Sequence, residues 1–337
     1  MTPKTLQTFN LTYPHNLPLT PTGSWKQTAY LLEKKSADAL KMALVTNRPL
    51  LVKGEPGLGK SYLALAAAQL LERAFVAEVI NSHTEGQDLL WKDDPIQRLN
   101  DVQANQKAGA DLHPQRYINP SILWWAFDWE TADQQYQQLH HKVYKPHCLD
   151  EQKRKNGMVL LIDEIDKADP SLPNSLLEVL GNGGFDVPQV DLQDRHGKPV
   201  ECVGQKGQPP LVIITTNDER ELPPAFVRRC LVLHLKVDEE NIEQWLMERV
   251  RTHISKDDCC DAILREAAQQ LKQDRDAAST QGMIKAGLSE YIDLITALVE
   301  LTKTDDQQAP LTAADKEQAQ RELLDELAEF SLRKAEA

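Results

Sequence analysis

An eight-residue segment between two apolar runs constrains the fold of this chain most. Residues Gly54–Ser61 fit the pattern G-x-x-x-x-G-K-[ST]; the apolar run Pro49–Val52 precedes them, and strong helix formers follow up to Arg73. In such a strand, loop and helix, the glycines let the backbone N–H groups surround a phosphate, and the helix adds the positive end of its dipole. The segment therefore predicts a phosphate-binding loop, or P-loop, in an α/β fold.

The polar side chains of the P-loop indicate how it would hold a nucleotide. We expect Lys60 to bridge the β- and γ-phosphates and the Ser61 hydroxyl to ligate Mg²⁺. The predicted nucleotide-binding residues are Gly54, Glu55, Pro56, Gly57, Leu58, Gly59, Lys60, Ser61 and Tyr62. Nothing in this pattern distinguishes ATP from GTP.

A second apolar run ends in two acidic residues. Met158–Ile162 reads as a buried parallel strand, and Asp163 and Glu164 follow it directly. Ligands of open α/β sheets bind at the carboxyl ends of the strands, so these carboxylates are expected in the cleft. We expect Asp163 to hold Mg²⁺ through water and Glu164 to orient and deprotonate the attacking water. Taken alone, the two acids could simply mark where the strand reaches solvent.

Two further features complete the predicted site, and each is weak in isolation. Asn217 follows the apolar strand Leu211–Thr215, where an uncharged amide could fix the water or the γ-phosphate; Asn at a strand end is also a common turn residue. Arg228 and Arg229 end a short helix that begins near Pro223. Arginine can neutralise the charge on a transferring phosphoryl group, although a salt-bridged pair at a helix end is the simpler interpretation.

The distribution of motifs and apolar periodicity predicts three parts. Residues 1–23 form an N-terminal arm, residues 24–237 an α/β nucleotide-binding domain, and residues 238–337 a helical region that ends in a charged amphipathic helix from Asp315. The α/β domain is expected to begin with a helix from about Ser24 to Val45. It also contains a polar insertion at about 83–156 and a projecting hairpin at about 183–208.

Charge argues against nucleic acid as the main substrate. The net charge is -13, and residues 238–337 contain 12 basic and 23 acidic side chains. A DNA-binding face needs the opposite sign, because Lys and Arg provide most of its affinity. No apolar stretch approaches the roughly 18 residues of a membrane-spanning helix, and the first residues lack a signal-peptide pattern, so a cytoplasmic location is expected.

The insertion contains two clusters with alternative interpretations. An aromatic cluster is more typical of a small core within the insertion than of a surface that stacks bases or grips a protein: Trp124, Trp125, Phe127 and Trp129. A second cluster has metal-ligating side chains but lacks a partner C-x-x-C, which makes it a weak metal site: His140, His141, His147 and Cys148.

Together, the P-loop, the acidic strand end, Asn217 and the arginine pair resemble the AAA+ ATPases. Within that superfamily the chain is most similar to the MoxR-like ATPases, through residues 50–57, 163–168, 176–180 and 223–229. The resemblance implies a P-loop NTPase AAA+ core, with a parallel sheet flanked by helices, and an all-α C-terminal lid. It also implies ATP with Mg²⁺ as the cofactors.

The same resemblance implies how such a protein works. Family members form rings, typically hexamers, with nucleotide between subunits, so Arg229, together with Arg228, would reach the γ-phosphate bound by a neighbour. MoxR-like ATPases act as remodelling chaperones on a client or a partner with a von Willebrand factor A domain, some in bacterial conflict systems. The alternatives are a nucleotide-gated scaffold with little turnover and a nucleic-acid-dependent AAA+ motor.

One segment departs from the family pattern. Members often carry an arginine, sensor 2, at the start of a lid helix, and Ser289 occupies that place here. The nearest cation, Lys285, lies one helical turn earlier and lacks the planar fork of arginine. The sequence therefore leaves open how the lid senses nucleotide.

Overall fold

The computed structural model describes residues 7–104, 113–139, 142, 145–146, 150–193, 197–205, 207–281, 285–303 and 312–331. The strands in chain order are β1 His15–Leu19, β2 Thr28–Leu32, β3 Leu50–Lys53, β4 Ala74–Val79, β5 Trp91–Asp93, β6 Ile118–Pro120, β7 Met158–Asp163, β8 Gly184–Phe185, β9 Val203–Gly204, β10 Leu211–Thr216 and β11 Leu231–His234. The α-helices are α1 Lys34–Thr46, α2 Lys60–Leu70, α3 Pro95–Ala104, α4 Ile122–Phe127, α5 Trp129–Gln138, α6 Glu151–Asn156, α7 Ser171–Asn182, α8 Pro224–Arg229, α9 Ile242–Val250, α10 Asp261–Gln281, α11 Leu288–Leu301 and α12 Ala313–Ser331.

A five-stranded sheet forms the centre of the α/β domain. Its strand order is β11-β3-β10-β7-β4, and every pairing is parallel. The register aligns Thr216 with Lys53 and Ile214 with Ile162, so β3, β7 and β10 end at the same edge. The predicted parallel sheet flanked by helices is confirmed, and this edge carries the P-loop and the acidic residues.

Both faces of the sheet are covered, which explains why its strands read as continuous apolar runs. Alternate residues of β7 point to opposite faces: Val159 and Leu161 pack in the cluster with α1 and α2, whereas Leu160 and Ile162 pack with α4, α7 and α8. All four are fully buried. Burial on two faces holds the strand ends in fixed positions beside the P-loop.

The predicted helix from Ser24 is wrong over its first ten residues. Thr28–Leu32 pairs antiparallel with His15–Leu19, and the helix begins only at Lys34. Trp25 packs edge-on against Tyr62 and Phe75, with ring centroids 5.2 and 5.5 Å away. This contact with α2 and β4 lies far along the chain, so local periodicity does not reveal it.

The polar segment 83–156 contributes to the main core. Trp124 and Trp125 of α4 are fully buried in the same cluster as Leu160 of the sheet, and not in a separate core as expected. Their indole N–H groups donate to Thr131 Oγ1 and to the Pro120 carbonyl. The predicted cluster of metal-ligating side chains lies outside the described residues: His140, His141, His147 and Cys148. Among the residues that the structure describes, no group of three or more His, Cys, Asp or Glu side chains is arranged to hold a metal ion.

A short hairpin follows α7. Gly184–Phe185 pairs antiparallel with Val203–Gly204, as the predicted hairpin requires. Residues 194–196, within the range of the predicted hairpin, lie outside the described part of the chain.

Four helices, α9 to α12, form the lid around their own apolar cluster. Leu324 and Ala328 of α12 are buried in this cluster, and Arg321 binds the carboxylate of Glu266 on α10 through its Nε and Nη2 atoms. The terminal amphipathic helix therefore packs onto the lid. Among the described residues, no helix combines the length and the apolar character needed to cross a bilayer.

Candidate active site

A cleft of about 650 Å³ lies at the carboxyl edge of the sheet, between the α/β domain and the lid. Its floor is formed by the P-loop from Pro56 onward and by the ends of β7 and β10. Residues of the β1–β2 hairpin and of the lid helices α9 and α11 close its sides. The volume and the polar floor suit a nucleotide-sized ligand.

The P-loop curls around the side chain of Lys60. This side chain is 6% exposed, and its Nζ donates to the carbonyls of Gly54 and Glu55, each at 2.8 Å. Burial lowers the pKa of Lys60, although the nearby carboxylate of Asp163 opposes that shift. The ammonium group is thus held at the base of the loop, where the N-terminus of α2 begins.

Gly57 in this loop is required by geometry. Its φ of +78° disfavours side chains, and an added Cβ would lie 2.3 Å from the Oγ of Ser289 in the lid. The P-loop and the lid are therefore in direct contact at this point.

Three oxygen-bearing side chains meet at the ends of α2, β7 and β10. Ser61 Oγ donates to Asp163 Oδ1 at 2.8 Å, and Thr215 Oγ1 donates to the same oxygen. Ser61 and Asp163 are the two residues expected at the Mg²⁺ site, and their side chains are neighbours here. Thr215 was not among the predicted site residues; its only sequence signal is a hydroxyl two residues before Asn217.

Glu164 is held by two residues at the carboxyl end of β10, Thr215 within the strand and Asn217 just after it. Its backbone N–H donates to Thr215 Oγ1 at 2.9 Å, and its Oε1 accepts from Asn217 Nδ2 at 3.3 Å. Glu164 itself has φ +59°, a strained conformation for a residue with a side chain. These contacts orient the carboxylate into the cleft, next to the amide that the sequence analysis assigned to the same site.

A buried acid, Asp166, holds the loop that follows β10. Asp166 is 2% exposed, and its Oδ2 accepts from the backbone N–H of Glu219 at 2.9 Å. Its other carboxylate oxygen has no hydrogen-bond partner among the described residues. Asp166 thereby ties the segment after Glu164 to the loop that contains Asn217.

The predicted arginines do not line this cleft. Arg228 and Arg229 are exposed at the end of α8, and Arg48 binds the carbonyls of both residues. Arg48 thus fixes the end of α8, a role that no sequence motif indicates. Within this chain, the structure brings the P-loop, the acids and Asn217 together but leaves the two arginines outside.

The lid contributes Ser289 to the cleft and not Lys285. Ser289 lines the cleft, whereas Lys285 is exposed and does not. The lid cation that does line it is Arg249, which stacks over Trp245 at 3.6 Å from the ring centroid and pairs with Glu33.

Aromatic side chains also line the cleft, and no sequence motif indicates them. Trp25 and Tyr30 line it from the hairpin, and Trp245 and His253 from the lid. Burial lowers the pKa of His253, which favours the neutral ring at pH 7. Aromatic faces beside a phosphate-binding floor are suited to a nucleobase. These residues lie on separate elements, so no local pattern could have found them.

Among solved structures, the chain is similar to a point mutant of RuvB from Thermotoga maritima, with 16% identity over 88% of this chain and 75% of that chain and a TM-score of 0.38. It is also similar to NtrX from Brucella abortus in complex with ATP, with 15% identity over 83% of this chain and 53% of that chain and a TM-score of 0.40. No curated protein matches the chain.

A family model gives the decisive match. Residues 49–230, more than half of the 337 residues, match the model described as AAA domain, dynein-related subfamily. The matched range includes the P-loop, Asp163, Glu164 and Asn217. The chain therefore belongs to the AAA+ ATPases, as a member of the dynein-related AAA family that binds ATP and hydrolyses it.

Proposed function

We propose that this chain is a MoxR-like AAA+ ATPase, which couples ATP hydrolysis in a homo-oligomeric ring, a hexamer by family likeness, to remodelling or activation of a protein partner. The observation that carries the proposal is the division of the site: the hydrolytic residues share one cleft, while Arg228 and Arg229 are exposed away from it. Such a chain needs a neighbour to complete its site. A partner with a von Willebrand factor A domain fits the MoxR likeness.

Hydrolysis in this proposal depends on Glu164 as the base. Its carboxylate would take a proton from the attacking water, and the Asn217 amide beside it would hold that water in line without adding negative charge. Lys60 would leave its two carbonyl partners to bind the β- and γ-phosphates. The Thr215 hydroxyl keeps the backbone of Glu164 in place.

The oxygens beside the P-loop fit Mg²⁺. The Ser61 hydroxyl and the Asp163 carboxylate lie 2.8 Å apart, and hard oxygen donors of this kind are those that Mg²⁺ prefers. Ser61 would bind the ion directly and Asp163 through water, with Mg²⁺ supplying charge neutralisation of the phosphates.

A subunit-mixing experiment tests the ring. Arg229→Ala should abolish ATPase activity, as should Lys60→Ala, because the first removes the arginine donated to a neighbour and the second the phosphate-binding lysine. In a 1:1 mixture, about a quarter of the interfaces would combine an intact P-loop with an intact arginine, so about a quarter of the wild-type rate should return. The readout is phosphate release at fixed total protein.

The wild-type rate per subunit should also rise with protein concentration, alongside ATP-dependent assembly measured by light scattering. No recovery at any mixing ratio would contradict the shared site. A flat, very low rate with tight ATP-dependent partner binding would instead favour a nucleotide-gated scaffold, and strong stimulation by DNA a nucleic-acid motor.

A further inference from the structure

A buried arginine in the lid contacts the P-loop. Arg275 lies on α10, and its side chain is 3% exposed. Its Nη2 is 3.3 Å from Glu55 Oε2 and 2.6 Å from Glu239 Oε1, while its Nη1 donates to the Ala286 carbonyl at 2.7 Å. One guanidinium therefore joins the P-loop, the connection into the lid and the turn before α11.

The P-loop makes two other contacts with the lid. Leu58 is 8% exposed and packs in the apolar cluster of the lid, together with Leu271 and Leu288. Gly57 is in close contact with Ser289. Glu55, Gly57 and Leu58 lie within four residues of each other. The lid therefore contacts the P-loop along its whole tip.

Glu55 is the residue that the two cations share. Lys60 Nζ donates to its backbone carbonyl, and Arg275 binds its side chain. A phosphate that draws Lys60 away from this carbonyl changes the hydrogen bonding of the same residue that anchors the lid. A movement of the lid acts on the loop through the same contact in reverse.

We propose that Arg275, acting through Glu55, is the positioning residue that couples the lid to the P-loop, where the position expected for a sensor 2 arginine holds Ser289. This inference concerns the nucleotide cycle alone and holds whether or not the chain remodels a protein partner. Arg275 holds the lid over the P-loop, and with it the parts of α9 and α11 that line the cleft. Loss of the contact releases the lid and shortens the residence of the nucleotide.

The test is a double-mutant cycle on the release of fluorescent methylanthraniloyl-ADP, measured by stopped flow on the full chain. Arg275→Gln and Glu55→Gln should each speed release about tenfold, and the double variant should be no faster than about threefold above the faster single one, because both remove one interaction. Glu240→Gln, an exposed neighbour of Glu239 with the same charge change, should stay within about twofold.

Hydrogen exchange distinguishes a released lid from a damaged fold. In Arg275→Gln the amides of 287–292 should exchange faster, while those of β7 and β10 stay protected. If Arg275→Gln does not fold, Glu55→Gln still tests the proposal, because half of the Glu55 side chain is exposed and its loss cannot empty a core. Unchanged release in Glu55→Gln, or single effects that multiply in the double variant, would overturn it.

Discussion

The α/β core and the lid face the same cleft but are organised differently. In the core, the chemistry lies at the ends of three parallel strands: Ser61 is in the first turn of α2, Asp163 ends β7 and Asn217 follows β10. In the lid, Arg249 and Ser289 line the cleft and Arg275 binds Glu55 of the P-loop, and these three residues lie on three different helices. The core residues belong to sequence motifs, whereas the lid residues are brought together only by the packing of its helices.

The difference extends to charge. Residues 238–337 account for 11 of the 13 excess negative charges, as 23 acidic minus 12 basic side chains. Yet two lid arginines at the interface with the core are paired: Arg249 with Glu33, and Arg275 with Glu55 and Glu239. Two of these three acids belong to the α/β domain, so the lid is attached to the core by ion pairs as well as by apolar contacts. The residues proposed for hydrolysis therefore lie in the core, and the lid contacts them through an interface of ion pairs and apolar side chains.

The largest expected effect tests whether hydrolysis is confined to the core edge. Glu164→Gln should lower kcat by about 10²- to 10³-fold, because the amide cannot accept the proton of the attacking water. ATP binding should remain, since the P-loop is unchanged. Steady-state ATPase assays measure kcat, and nucleotide-binding assays measure the affinity for ATP. Glu178→Gln, on an exposed face of α7, is the control. A normal rate in Glu164→Gln would remove this residue as the base.

A second change tests the lid side of the contact between the core and the lid. Leu58→Ala should destabilise the lid by about 2–4 kcal/mol, because it leaves a cavity in the lid's apolar cluster. Hydrogen exchange should then accelerate in Leu288–Leu301 and not in β3 or β7. Leu301→Ala, whose side chain is 62% exposed, should change stability by less than about 0.5 kcal/mol. Equal loss of protection in the sheet and the lid would contradict the separation of the two regions.

The smallest effect concerns the residue that motifs did not identify. Thr215→Val keeps the shape of the side chain but removes the hydroxyl that binds both Asp163 and the backbone of Glu164. A hydrogen bond to a charged group contributes about 1.5–3 kcal/mol, so kcat should fall about tenfold or more, with a smaller change in KM. Thr46→Val, which removes an exposed hydroxyl bonded to the Met42 carbonyl on α1, is the control. A change in KM alone would assign Thr215 to nucleotide binding instead.

Sequence reasoning was successful where a motif and a regular element coincide. The parallel strands, the P-loop before α2 and the acids at the end of β7 were predicted because apolar runs and their flanking residues are local signals. The helix predicted from Ser24 was wrong because Thr28–Leu32 is set by pairing with His15–Leu19. The separate core predicted for Trp124 and Trp125 was wrong for a similar reason, since their partners lie on β4 and β7.

By itself the sequence determined the chemistry of the cleft: a lysine and a serine after a glycine loop, two acids and an asparagine at strand ends, and a family of ATPases that uses them. These residues are readable because the backbone geometry of one loop and of parallel strands dictates them locally. Tertiary structure alone decided that Thr215 joins Asp163 to Glu164, that Arg228 and Arg229 lie outside their own cleft, and that Arg275 contacts Glu55 across 220 residues. Such contacts depend on how whole elements pack against each other, and packing leaves no fixed spacing along the chain.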